Sequence, residues 1–133
     1  MVFIPTRTKK SKYGNIITKI GDHAFDSRKE ASWYLYFRDL EQKGEIHDLR
    51  TQVEFEILPA IYETQVIHLK TKDKSVQKCV QSAVHYIADF TYKDAYGNLV
   101  VVDVKSEATR KDKVYVLKKK MMRALLGITI VEK

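Results

Sequence analysis

At 133 residues, 44% of them hydrophobic, with two prolines and five glycines, the chain is long enough for a single buried core and too apolar to be disordered throughout. Its formal net charge of +7 suits a polyanionic partner. The single cysteine, Cys79, rules out an internal disulfide, and no Cys/His cluster has the spacing of structural zinc.

The charge is unevenly placed. Residues 1–20 sum to +5, residues 105–123 to +6, and the remainder of the chain to −4. Residues 1–15 are basic and polar with Pro5 and Gly14 as breakers, which predicts a flexible arm whose Lys9, Lys10 and Lys12 are candidate nucleic-acid contacts. Residues 16–133 read as one domain. Ser27-Arg28-Lys29-Glu30 matches a capping box and starts a helix to about Lys43, with Ala31, Tyr34 and Leu35 on its apolar stripe and Gly44 as its stop. Gln52 to Leu58 alternates as a half-covered strand, Pro59 interrupts, and Tyr62 to Leu69 is a further strand. Residues 71–75 form a polar turn in a hairpin with a basic tip. His85 to Tyr92 and Leu99 to Lys105 are two β-branched and aromatic runs joined by the turn at 94–98, which makes them antiparallel neighbours. From Asp112 to Leu126, Val114, Leu117, Met121, Ala124 and Leu125 define an amphipathic helix closed by Gly127, with Lys118, Lys119 and Arg123 on its solvent face. Ile128 to Val131 adds a last strand. Helix, hairpin strands, helix and strand in this order imply an α/β (α+β) domain around a single mixed sheet flanked by helices.

Two of these strands carry charges that need a justification. Asp89 stands alone among apolar neighbours. Val100, Val102 and Val104 share one face of the next strand, so Asp103 and Lys105 emerge together on the other. Acids in such positions are costly unless paired, hydrated or bound to a cation. Ordinary readings exist for each: Glu30 completes a capping box, and Asp89 with Lys105 is a plain cross-strand pair. The four histidines lack metal-ligand spacing. No apolar run approaches the ~20 residues that span a bilayer, so the expectation is a soluble, cytoplasmic protein with no membrane partner.

Together, Glu30 near the start of a helix, Asp89 in a hairpin strand and Asp103-Val104-Lys105 at the end of the next strand, followed by a basic helix, resemble the PD-(D/E)XK nuclease superfamily. More narrowly, Tyr13-Gly14-Asn15, Phe25 to Ala31, Tyr86 to Phe90 and Val102 to Lys105 resemble a family of small phage and prophage proteins of unknown function described as Holliday-junction-resolvase-like. The likeness runs over nearly the whole chain from Tyr13. The last acid is Asp103 where many members carry glutamate, and Ala88 stands where a proline often precedes the aspartate. The resemblance implies a restriction-endonuclease-like core, with Glu30, Asp89 and Asp103 as catalytic ligands of Mg²⁺, Mn²⁺ substituting, and Lys105 as the catalytic lysine. It implies DNA as the partner, Lys118, Lys119 and Arg123 as backbone contacts, and a homodimer if branched DNA in phage recombination or packaging is the substrate. If a phage encodes the protein, the compartment is the host cytoplasm. Two other readings stand beside a metal-dependent endonuclease: a non-catalytic nucleic-acid-binding protein with the same fold, and a phage assembly or host-interaction factor.

Overall fold

The computed structural model of the chain describes residues 6–10 and 16–133, with side chains from Ile17 onward. Three short strands come first, an element that charge and breakers concealed: β1 (Thr6–Lys10), β2 (Ile16–Ile20) and β3 (His23–Phe25) form an antiparallel sheet in that order. Part of the stretch read as a flexible arm is therefore strand. Lys9 and Lys10 lie in β1, and Lys12 falls outside the described residues.

Helix α1 (Arg28–Gln42) begins at the expected cap, where the Ser27 hydroxyl accepts the Glu30 backbone N–H at 3.1 Å. Its buried residues Ala31, Tyr34 and Phe37 follow a helical stripe and pack with Ile20, Phe25, Ile46, Phe90 and Val102. Ring centroids of 5.0 Å for Phe25–Tyr34 and 5.4 Å for Phe37–Phe90 make this cluster largely aromatic.

The main sheet has the order β4-β7-β8-β9, comprising β4 (His47–Leu58), β7 (Val84–Lys93), β8 (Leu99–Asp103) and β9 (Ile130–Glu132). Its neighbours are antiparallel except β8 and β9, which run parallel. Val101 and Val102, adjacent in β8, belong to different hydrophobic clusters, so this strand is covered on both faces, as its valine run predicted. The domain is thus α+β, with a helix on each face of a four-stranded mixed sheet; in place of the single sheet expected, the described strands form three, because β1–β3 and the hairpin that follows β4 pair only among themselves. Between β4 and β7 the chain makes a separate hairpin, β5 (Ile61–His68) and β6 (Asp73–Gln81). Residues read as a polar turn belong in part to β6, because its alternating residues pair with β5 down to His68↔Asp73 and leave only a short loop.

After β8 comes α2 (Glu107–Arg110), a single turn that sequence periodicity cannot signal, and then α3 (Lys113–Leu126) with Asp112 as N-cap. Gly127 ends α3 with a φ of +68°, the left-handed geometry glycine adopts cheaply. The phase of α3 departs from expectation. Tyr115 and Met122 are the buried residues, whereas Val114, Leu117 and Leu125 are exposed and Lys118 and Lys119 half-buried. The helix is apolar on two sides, and the side carrying the large Tyr115 and Met122 fills the space over Tyr86, Ala88, Val101 and Ile130. Among the described residues no helix is long and apolar enough to cross a membrane.

Candidate functional site

The site lies where β7 and β8 part. Their pairing begins at Phe90↔Val102, and beyond that rung Asp89 Oδ2 accepts the Val104 N–H at 2.8 Å, so the carboxylate replaces the missing backbone partner. Along β7, Tyr86 and Ala88 pack on the α3 side while Phe90 packs on the α1 side. A regular period of two would put all three on one face. The strand changes face at Asp89. Opposite it in β4, Gln52 has a φ of +51°, an uncommon conformation for any residue but glycine. Its amide gives the strain a use: Nε2 donates to Glu30 Oε1 at 3.0 Å and lies 3.4 Å from Asp89 Oδ1.

Asp103 closes β8 and is 1% exposed. Its Oδ2 accepts a short hydrogen bond from the Tyr86 hydroxyl and lies 3.4 Å from Lys105 Nζ. Lys105 is anchored on three sides. Its N–H donates to the Lys133 carbonyl at 3.1 Å, its carbonyl accepts Lys29 Nζ at 3.0 Å, and its ammonium sits 4.6 Å above the Tyr115 ring. Burial pushes the Asp103 carboxyl up to about 7, and the neighbouring Asp89 adds to this, against the pull of Tyr86 and Lys105. Burial also raises Asp89 and Glu30 above their ordinary values; Glu30 adds to the rise of Asp89, whereas Asp89 pulls Glu30 down and the charges of Asp26 and Asp103 push it up. The Glu30 carboxylate also draws on the Asp26 backbone N–H, so it serves the start of α1 and the acid cluster at once.

Asp89 is therefore central: it shares the Gln52 amide with Glu30, and its titration is coupled to both Glu30 and Asp103. Among the described residues no group of three or more His, Cys, Asp or Glu side chains is arranged to hold a metal ion. Mg²⁺ does not require such a cage, since it commonly binds through one or two carboxylates and keeps its waters. Asp89 and Asp103, hard oxygen donors with Lys105 as the one cation beside Asp103, are the pair suited to it, with Glu30 joined to Asp89 through Gln52. Lys105 and Lys118 line one cleft of about 270 Å³ with Tyr86, Ile87 and Tyr115. Lys119 turns instead to Glu132 in an ion pair, and Arg123 is exposed further along α3. Neither the cleft of Lys105 and Lys118 nor the larger one, about 500 Å³ between the β2–β3 turn, α1 and β4, is lined by any of the three acids.

A family model described as "Protein of unknown function (DUF1064)" matches residues 10–126, a span that includes Glu30, Asp89, Asp103 and Lys105. The chain belongs to this family. No curated protein and no solved structure matches it. In this family member two site residues escape a reading of the sequence. Gln52 looks like any polar residue on the open face of a strand, and nothing short of its positive φ signals its role. Tyr86 counts as core, and its acceptor, Asp103, lies on the neighbouring strand, where no local pattern shows it.

Proposed function

We propose that this protein is a Mg²⁺-dependent endodeoxyribonuclease with a PD-(D/E)XK core, Mn²⁺ substituting for Mg²⁺. The observation that carries the reading is the Lys105 ammonium 3.4 Å from the buried Asp103 carboxylate, at the point where Asp89 binds the Val104 N–H and shares the Gln52 amide with Glu30. When bound, Mg²⁺ supplies relief of phosphate charge and a more acidic water at neutral pH. Asp89 and Asp103 are the residues to hold it. Val104 N–H and Gln52 fix the Asp89 carboxylate, and the Tyr86 hydroxyl fixes that of Asp103, so the donors are set before substrate arrives. Lys105 Nζ, beside the cleft it shares with Lys118, offsets charge on the scissile phosphate and orients the attacking water. Branched DNA is the substrate class that the sequence resemblance implies, and with it a homodimer, since two strands must be cut symmetrically.

Cleavage of supercoiled plasmid and of a four-way junction in Mg²⁺ or Mn²⁺, with none in EDTA or Ca²⁺, tests the proposal. Asp103→Asn should abolish cleavage while DNA binding is kept or strengthened, because one negative charge facing the phosphate is gone. Equal loss of both, with the fold intact, would make Asp103 structural. A second reading is favoured by the partners the acids already have within the chain, Tyr86 and Lys105 for Asp103 and the Val104 N–H for Asp89. It is a non-catalytic DNA-binding protein on the same fold, and binding without cleavage in every divalent cation would establish it.

A further inference from the structure

Strands β5 and β6 form a two-stranded ribbon outside the core. Neither contributes to a hydrophobic cluster, every residue of β5 is exposed, and in β6 only Val76 is partly covered. The ribbon is nevertheless well formed. Gln77 donates to Thr64 across it at 2.8 Å, His68 meets Asp73 at 2.7 Å, and the Leu69 N–H closes the loop on the Lys72 carbonyl at 2.9 Å.

The ribbon carries Lys70, Lys72, Lys74 and Lys78 against two acids, Glu63, which faces Lys78 in the register, and Asp73, which is engaged by His68, so the excess positive charge gathers at the tip, at Lys70, Lys72 and Lys74. Among the described residues none of these four lysines has an ion-pair partner. Lysines on a ribbon commonly guard its edges against pairing with another chain. That explanation covers Lys74 and Lys78 on β6 but not Lys70 and Lys72, which lie in the loop on neither edge, while the other edge, β5, has no lysine at all. Lys74 and Lys78 lie four residues apart on one strand and so share a face, and the loop lysines extend that positive charge to the tip. An isolated ribbon of this kind is marginally stable in water and gains from a partner that covers it.

We propose that the β5–β6 ribbon is a DNA-binding arm whose lysines grip the phosphate backbone of a duplex at a distance from the acid cluster. The proposal rests on the reading of this protein as one that binds DNA. A two-stranded ribbon fits the major groove, roughly 12 Å wide. The ribbon continues the β4–β7 pair past Pro59, with Gln81 Nε2 donating to the Pro59 carbonyl at 3.2 Å. From Gln52 to Leu69 the chain reaches at most roughly 55 Å at about 3.3 Å per residue, more than one turn of duplex. The exposed Val66, Ile67 and Leu69 beside the lysines supply apolar contact to sugars and thymine methyl groups.

The test uses the full chain in EDTA, with fluorescence anisotropy on duplexes of about 40 and about 12 base pairs at several salt concentrations. Replacing Lys70, Lys72, Lys74 and Lys78 together by Gln should weaken binding to the long duplex about ten-fold or more. It should flatten the logarithmic salt dependence by about 0.9 for each phosphate that is no longer neutralised, and leave the short duplex nearly unaffected. The same four positions as Arg should bind like the parent, and circular dichroism of both variants should match it. Unchanged affinity and slope on the long duplex, while the parent binds it, overturn the arm and leave the DNA reading standing. Equal weakening on both duplexes also overturns the arm, because it reports net charge alone. A parent that binds neither duplex removes the DNA reading and the arm with it. Light scattering supplies the last outcome: a parent dimer that Val66→Asp converts to monomer makes the ribbon a contact for a second copy and overturns the proposal.

Discussion

Removing the charge of Asp103 measures what the acid cluster costs the fold. Asp103 is 1% exposed, and burial, aided by Asp89, lifts its carboxyl to about 7 from the ordinary aspartate value near 4. Because the folded-state value lies above the unfolded one, the native protein holds a proton between about pH 4 and pH 7 that the unfolded chain has released. The stability this proton contributes is complete below about pH 4, declines as pH rises through the window, and is gone above about pH 7. A rise of about 3 pH units at about 1.4 kcal/mol each sets a ceiling of about 4 kcal/mol. Glu30 and Asp89 are shifted in the same direction and steepen the decline, while Glu132, held down by Lys119, opposes it at lower pH. Urea unfolding in EDTA at pH 5, 6, 7 and 8 should show the parent losing a few kcal/mol across that range. Asp103→Asn, which keeps the shape and drops the charge, should give a much flatter profile and be at least as stable as the parent at pH 8. A flat parent profile, with the variant losing more than about 2 kcal/mol at pH 8, would refute this. Tyr86 and Lys105 would then more than compensate the buried charge, making Asp103 an ordinary satisfied acid.

Gln52→Gly relieves the φ of +51° but deletes the amide that holds Glu30 and Asp89, so folding stability should hold or rise slightly while cleavage falls about ten-fold or more; unchanged cleavage would remove Gln52 from any positioning role. Lys118→Ala and Arg123→Ala should each weaken DNA binding and flatten its salt dependence, whereas Lys119→Ala should chiefly cost stability, by less than about 1 kcal/mol, because its ammonium is held by Glu132. Binding titrations in salt series and thermal melts separate the two effects. The phase of α3 has its own check in urea unfolding: Met122→Ala should cost about 2–5 kcal/mol and Leu117→Ala less than about 0.5 kcal/mol, and the reverse order would restore the phase that the apolar spacing suggests.

Short-range patterns carry the elements that sequence and structure share. The cap at Ser27, the stop at Gly127, the alternation before Pro59 and the valine run ending at Asp103 each lead to an element of the observed type within a few residues. Strand phase likewise places Asp103 and Lys105 on one side of β8, where their charges do meet. Charge and breakers mask β1 to β3, because a short strand rich in Lys and Thr has the composition of a loop. The outward face of α3 differs from expectation because the helix is apolar on two sides, and periodicity cannot say which of them a sheet will cover.

What the amino-acid sequence determined by itself was therefore the kind and order of the main elements from α1 onward, without β6 and α2, and the short list of acids and lysines worth suspecting, since capping, alternation and helical periodicity act within a few residues. The tertiary structure decided which of those residues meet. Asp89 reaches the Val104 N–H beside Asp103 only because β7 parts from β8 beyond Phe90. Gln52 reaches both Glu30 and Asp89 only through a backbone conformation that no side-chain pattern encodes. Lys119 is claimed by Glu132, 13 residues along the chain, once β9 lies beside β8. Each of these depends on strand pairing between segments far apart in the chain, and register across such distances is set by the packing of both sheet faces together, which no local stretch of sequence records.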